Sequence, residues 1–274
     1  MNKLFIDNKE IYVITSIGNK SNHTLIFVHG NSQSSRTWYL QLNSDLLKEF
    51  NLIAFDLPGH GESSRSLNPL EDYTLPGYVT VLKKVIEALS IQNFILVGFS
   101  MGGHIAIETL PELKTCKGIL ILGTPPVTKP MEIDKLYIPS PTLSTAFKAD
   151  YTIEELEVAR QTMFLKNMDF PCGSFIEDFI KTDTTARAFM MEAILQNKYE
   201  DEIQILQECN IPVAVLCGIE EKTVNIEYLR TLPFKQWRGG LQVISDASHA
   251  AHCDQPEEFN QLVYDFAKDI FKIS

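Results

Sequence analysis

Several short stretches of this chain are apolar at every position, and that feature constrains the fold more than any other. FILV at 94–97, GILIL at 118–122 and PVAVLC at 212–217 offer no polar side chain to water. A strand with one wet face alternates polar and apolar residues; a strand apolar throughout must be covered on both faces, as in a parallel sheet sandwiched by helices. Further strand-like runs lie at 11–16, 24–28, 51–55 and 241–244, with a weaker first one near 3–7. Helical patterns at 74–90, 101–110 and 256–271 fall between or after them. The alternation predicts an α/β fold with an eight-stranded, mostly parallel sheet flanked by helices.

One stretch breaks the rhythm. From Pro125 to about Cys209 no strand pattern recurs, but helical patterns do, at 152–166 and 184–198. An insertion of about 85 residues far exceeds an ordinary connection between sheet elements. Pro125 and Pro126, with Pro130 soon after, mark where the chain leaves the sheet. We therefore expect a helical cap at 125–209, inserted after the sixth strand, with 1–124 and 210–274 forming the core. Phe147, Tyr151, Met163, Phe164, Phe170, Phe175, Phe189, Met190 and Met191 give the cap an apolar surface. Most such residues pack a cap against its sheet, and the remainder can wall a pocket.

The chain has 274 residues and a net charge of −11, a balance that argues against nucleic acid or an anionic membrane surface as partner. No apolar run approaches the roughly 20 residues that span a bilayer. The opening MNKLFIDNKEIYV lacks the basic-then-apolar pattern of a secretory signal, so the expected location is cytoplasmic. Cys116, Cys172, Cys209, Cys217 and Cys253 are scattered and never spaced as C-x-x-C, which points to reduced thiols rather than disulfides or a zinc site. No metal and no cofactor is expected.

The sharpest local signal is Gly98-Phe99-Ser100-Met101-Gly102, followed by Gly103, between the strand FILV and a helix. A serine hydroxyl becomes a nucleophile only when exposed, oriented and set beside a base. A sharp strand-to-helix turn exposes it, and small flanking residues let the turn close. The following helix directs its first N–H groups at the reacting carbonyl. His29-Gly30-Asn31-Ser32 follows the strand TLIFV, where a loop can supply the second oxyanion donor. Gly30, Asn31 and Met101 are thus the candidate oxyanion and substrate-binding residues, the donors being the backbone N–H groups of Asn31 and Met101.

The base should follow the last strand. His249 and His252 both do, and the small residues of Asp246-Ala247-Ser248-His249-Ala250 favour His249. The acid should follow PVAVLC, where Gly218-Ile219-Glu220-Glu221-Lys222-Thr223-Val224 offers Glu221, with Val224 three residues on, or else Glu220. The candidate catalytic set is Ser100, Glu221 and His249. Asp56-Leu57-Pro58-Gly59-His60-Gly61-Glu62-Ser63 reads as a structural turn, and His104 as a packed or capping histidine.

HGNSQSS, DLPGHGESS, GFSMGG, the acid loop and SHAAHCDQPEEF together resemble the α/β-hydrolase superfamily over nearly the whole chain. More narrowly, HGNSQSS, LGTPPV (122–127), KTDTTAR (181–187) and GIEEKTV look similar to the metal-independent type of N-acyl-homoserine lactonase. That resemblance implies Ser100, Glu221 and His249 as triad and Asn31 and Met101 at the oxyanion. It implies hydrolysis of a small-molecule ester or lactone with an apolar acyl group, most specifically ring opening of N-acyl-homoserine lactones, that is, quorum quenching. A general carboxylesterase, a C–C bond hydrolase, or a small-molecule receptor on the same fold are the other readings such a chain admits.

Overall fold

A computed structural model describes residues 2–16, 22–166 and 175–273. Eight strands form one sheet: β1 (Asn2–Ile6), β2 (Lys9–Ser16), β3 (Thr24–Val28), β4 (Asn51–Phe55), β5 (Phe94–Phe99), β6 (Cys116–Leu122), β7 (Val213–Gly218) and β8 (Gln242–Ile244). Their order is β1-β2-β4-β3-β5-β6-β7-β8. β1 with β2 and β2 with β4 run antiparallel, and every later pairing is parallel. The runs apolar throughout fall in β5, β6 and β7; β3, β5 and β7 are buried at every residue, and β6 at all but Lys117. Two clusters, one on each face, cover them.

Helices read from the sequence start where local chemistry starts them. Thr74 caps Leu75–Ala88 by accepting the Gly77 N–H at 3.1 Å. Pro256 opens Pro256–Phe271, whose buried Phe259, Val263, Phe266 and Ala267 fall on one helical face. Cys116 and Cys217 lie in the core, where burial pushes both thiols up to about 12, whereas Cys172 lies outside the described residues.

The helical cap leaves the sheet after β6. Thr152 and Glu155 form a reciprocal capping box at the start of Ile153–Met163, and Asp183 caps Thr184–Leu195. The cap also contains Phe175–Lys181 and Glu202–Glu208, two helices too short to stand out as periodic patterns. Among the described residues no helix is long and apolar enough to cross a membrane.

Strand order sets the position of the site. β3 lies between β4 and β5, so the chain departs to opposite sides from this point, and Val28 is level with Gly98 and Phe55. Crevices open at the carboxyl ends of strands where the order reverses in this way. The loops after β3, β5, β7 and β8 emerge along that edge, beneath the cap.

Candidate active site

Ser100 sits between β5 and the helix Met101–Thr109 with φ +52° and ψ −120°. An L-residue adopts such a backbone only where its surroundings enforce it. Here the Ser100 N–H donates to the Leu122 carbonyl at 2.9 Å, while its own carbonyl accepts from the Gly103 N–H at 2.8 Å and Thr124 Oγ1 at 2.9 Å. A Cβ on Gly98 would lie 2.5 Å from the Gly102 carbonyl oxygen, and one on Gly102 would lie 2.2 Å from that of Val28. The helix can approach β3 and β5 this closely only because both residues lack side chains. The Ser100 hydroxyl makes no hydrogen bond among the described residues and faces the cavity under the cap.

The loop after β3 is shaped by His29. Its Nε2 accepts the Leu57 N–H at 3.0 Å, so Nδ1 carries the proton and donates to the Gly30 carbonyl at 2.8 Å. Burial lowers the pKa of this imidazole and keeps it neutral. Asn31 donates through Nδ2 to the Ala146 carbonyl at 2.7 Å and accepts from Ser32 Oγ at 3.0 Å. Its backbone N–H has no acceptor among the described residues, nor has that of Met101 at the head of its helix. Gly30, Asn31, Ser100, Met101 and His249 all line the same cavity.

His249 Nδ1 stands 2.7 Å from Glu221 Oε2, and the two side chains are 2% and 0% exposed. Glu221 Oε1 accepts the N–H groups of Thr223 at 2.7 Å and Val224 at 3.2 Å. Both carboxylate oxygens are thus satisfied, and Nε2 is left as the basic nitrogen of His249. Glu220, the alternative acid, is exposed. The alternative base, His252, bonds Thr37 Oγ1 at 2.7 Å through Nε2 and packs against Trp38 and Phe99; burial pushes its pKa down to about 3.

The segment after β4 has the expected structural character. Asp56 accepts the N–H groups of Ser35 at 2.6 Å and Glu62 at 2.7 Å, and His60 is buried with its pKa pushed down to about 3. His104 differs from its reading as a packed or capping residue. It lines the cavity, and its Nδ1 lies 2.9 Å from both carboxylate oxygens of Glu202. Glu202 and Tyr137, which completes this group, carry no local motif that marks them in the sequence.

The cavity is about 490 Å³, within the range of small-molecule sites, and its walls are mainly apolar. Of the cap residues singled out above, Phe147, Met163, Phe175, Met190 and Met191 line it. Tyr151 instead packs edge-on against Phe179, and Phe164 against Phe175, while Phe170 lies outside the described residues.

A family model described as alpha/beta hydrolase fold matches residues 23–256. The AB hydrolase superfamily protein YisY of Bacillus subtilis (strain 168) is 26% identical over 251 residues, covering 89% of this chain and 91% of that protein. The structure of a mutant of the N-acyl homoserine lactonase AidH, complexed with N-hexanoyl homoserine lactone, superposes with a TM-score of 0.93 at 28% identity, covering 100% of this chain and 99% of that one. An aryl-esterase-like structure from Burkholderia cenocepacia, with a TM-score of 0.81, 20% identity and 99% coverage of both chains, shares the fold.

Proposed function

The chain belongs to the alpha/beta hydrolase fold family, and on that premise we propose that it is a serine hydrolase opening the lactone ring of N-acyl-homoserine lactones. His249 takes the proton of Ser100 as the hydroxyl attacks the lactone carbonyl, and Glu221 holds the imidazole tautomer and stabilises the imidazolium. The N–H groups of Asn31 and Met101 hold the oxyanion, each worth about 3 kcal/mol in the transition state. The ring C–O bond then breaks, and the leaving oxygen takes the proton from His249 while staying tethered to the acyl-enzyme. Water activated by His249 attacks the acyl-serine and releases the opened N-acyl-homoserine. On this reading, 1–124 and 210–274 are the catalytic core, 125–209 is the cap that encloses the acyl chain, and the enzyme works in the cytoplasm.

The observation that carries the reading is one cavity lined by Ser100, Asn31, Met101 and His249, the last backed by Glu221, whose cap walls are mainly apolar. The likeness to a lactonase complexed with N-hexanoyl homoserine lactone supports the substrate class. The test is ring opening of N-hexanoyl-homoserine lactone by purified protein in EDTA, corrected for spontaneous opening. Ser100→Ala should lower kcat by at least about 10⁴-fold. Ester cleavage without ring opening would replace the lactone with a general ester, and tight binding without turnover would make the protein a receptor.

A further inference from the structure

His104 is a second imidazole on the helix that begins beside Ser100. Its N–H approaches the Ser100 carbonyl at 3.4 Å, placing His104 in the first turn of the helix that Ser100 precedes. The side chain is 12% exposed and lines the cavity.

Behind it stands Glu202, with a fully buried side chain. Its two oxygens lie 2.9 Å from His104 Nδ1, and Oε2 also accepts the Val127 N–H at 3.0 Å. A carboxylate only accepts, so Nδ1 carries a proton, and in the neutral tautomer the lone pair is on Nε2. In that tautomer Nε2 is an acceptor. Its partner is the Tyr137 hydroxyl at 3.4 Å, a long bond, and Tyr137 also lines the cavity. A weakly engaged acceptor in mainly apolar walls is a recognition point for one donor on a ligand.

We propose that His104, oriented by Glu202 and flanked by Tyr137, is a specificity-determining residue that accepts a hydrogen bond from an amide N–H next to the scissile carbonyl. This deepens the lactonase reading and rests on it for the substrate class. In an N-acyl-homoserine lactone the amide nitrogen is two bonds from the carbon that Ser100 attacks, which suits an acceptor one helical turn from that serine. The sites of attack and recognition would then share one helix, and an acylated amine would be distinguished from a plain lactone or fatty ester of equal length.

The p-nitrophenyl esters of N-acetylglycine and 4-oxopentanoic acid test this, because they differ only in N–H against CH₂ beside the carbon bearing the ester. The quantity read is the ratio of their kcat/KM values, compared between wild type and variants so that intrinsic reactivity cancels. His104→Ala should lower the ratio at least tenfold, mostly through KM for the amide ester. His104→Gln, whose side-chain oxygen can accept, should restore part of it, and Glu202→Gln should lower it by loosening the ring. An unchanged ratio, with both esters lost together, would reduce His104 to a structural role and overturn the proposal; so would wild type hydrolysing neither ester. The lactone reading stands or falls separately on ring opening: a ratio that responds to His104 in a protein inert to lactones would keep the recognition point and remove the lactone.

Discussion

Ser100 is held at φ +52° by atoms that have no freedom to move aside. On one side the backbone of β6 and Thr124 bind its amide and carbonyl; on the other, Gly102 brings its helix against the ends of β3. A methyl at Gly102 would meet the Val28 carbonyl oxygen at 2.2 Å and that of His29 at 2.6 Å, both of them backbone. No rotamer change relieves such a clash, so the helix must retreat and the Ser100 hydroxyl with it. Overpacking of this kind costs about 1–3 kcal/mol. Gly102→Ala should therefore lower Tm by roughly 5 °C, while ester turnover falls by on the order of 100-fold, as a misplaced nucleophile requires. Calorimetry beside p-nitrophenyl butyrate kinetics separates the two, and full activity with an unchanged Tm would contradict the argument. The elbow was legible in the sequence because its main constraint is local: Gly98, Ser100, Gly102 and Gly103 are small, close together and set between a strand and a helix. His104 was legible only as a histidine on a helix. What orients it, Glu202, lies 98 positions further on and carries no motif of its own.

At the scale of elements, strands buried on both faces were the plainest feature of the chain, and only their ends needed adjustment. β5 extends to Phe99 rather than 97, because pairing with β6 continues to Leu122, and β6 begins at Cys116 rather than 118. Short cap helices such as Phe175–Lys181 escaped notice because seven residues barely complete two turns. The stretch 181–187, read from the sequence as the start of a cap helix at 184 and for its resemblance, ties cap to core. Asp183 accepts from the Tyr73 hydroxyl at 2.9 Å and donates its N–H to the Gly59 carbonyl at 2.8 Å. Arg187 is fully buried and donates to Ser32 Oγ at 3.3 Å, Phe179 O at 3.2 Å and Lys148 O at 2.8 Å. Ser32 in turn donates to Asn31, so the cap grips the loop that carries the proposed oxyanion donor. Arg187→Met keeps the bulk over Phe179 but removes all three hydrogen bonds. It should lower kcat for esters by roughly 10-fold or more with a smaller change in KM, since a loosened oxyanion donor is felt in the transition state. Steady-state kinetics resolves the two constants; a rise in KM alone would place the defect in the apolar walls instead.

At the scale of the whole molecule, the same burial that shapes the site leaves charges the folded chain cannot accept or release freely. His60 and His252 have their pKa values pushed down to about 3 by burial, and His29 is shifted in the same direction. Once unfolded, each returns to its ordinary value near 6.5. For His60 and His252 the unfolded chain therefore holds protons between about pH 3 and 6.5 that the folded chain refuses, and stability rises with pH by about 1 kcal/mol per unit for each of these two, with His29 acting in the same sense. Glu108 acts in the opposite sense. Burial and the charge of Glu202 push it up to about 8, so between about 4.5 and 8 the folded chain keeps a proton that the unfolded chain has released. Its contribution is complete below pH 4.5 and fades as pH rises to 8. From pH 5 to 6.5 His60 and His252, with His29 acting in the same sense, outweigh one carboxyl, and stability should climb. Above 6.5 the histidines are neutral in both states and Glu108 alone acts, so stability should decline towards pH 8. Urea unfolding at pH 5, 6, 6.5, 7 and 8 should give a maximum near 6.5–7. Glu108→Gln removes the titration while keeping an oxygen for the Glu200 N–H that Glu108 accepts at 3.0 Å, and should flatten the alkaline side only. A parent protein whose stability still rises from pH 7 to 8 would show that Glu108 releases its proton at an ordinary value, and that the acidic residues behind His104 are better solvated than their burial implies.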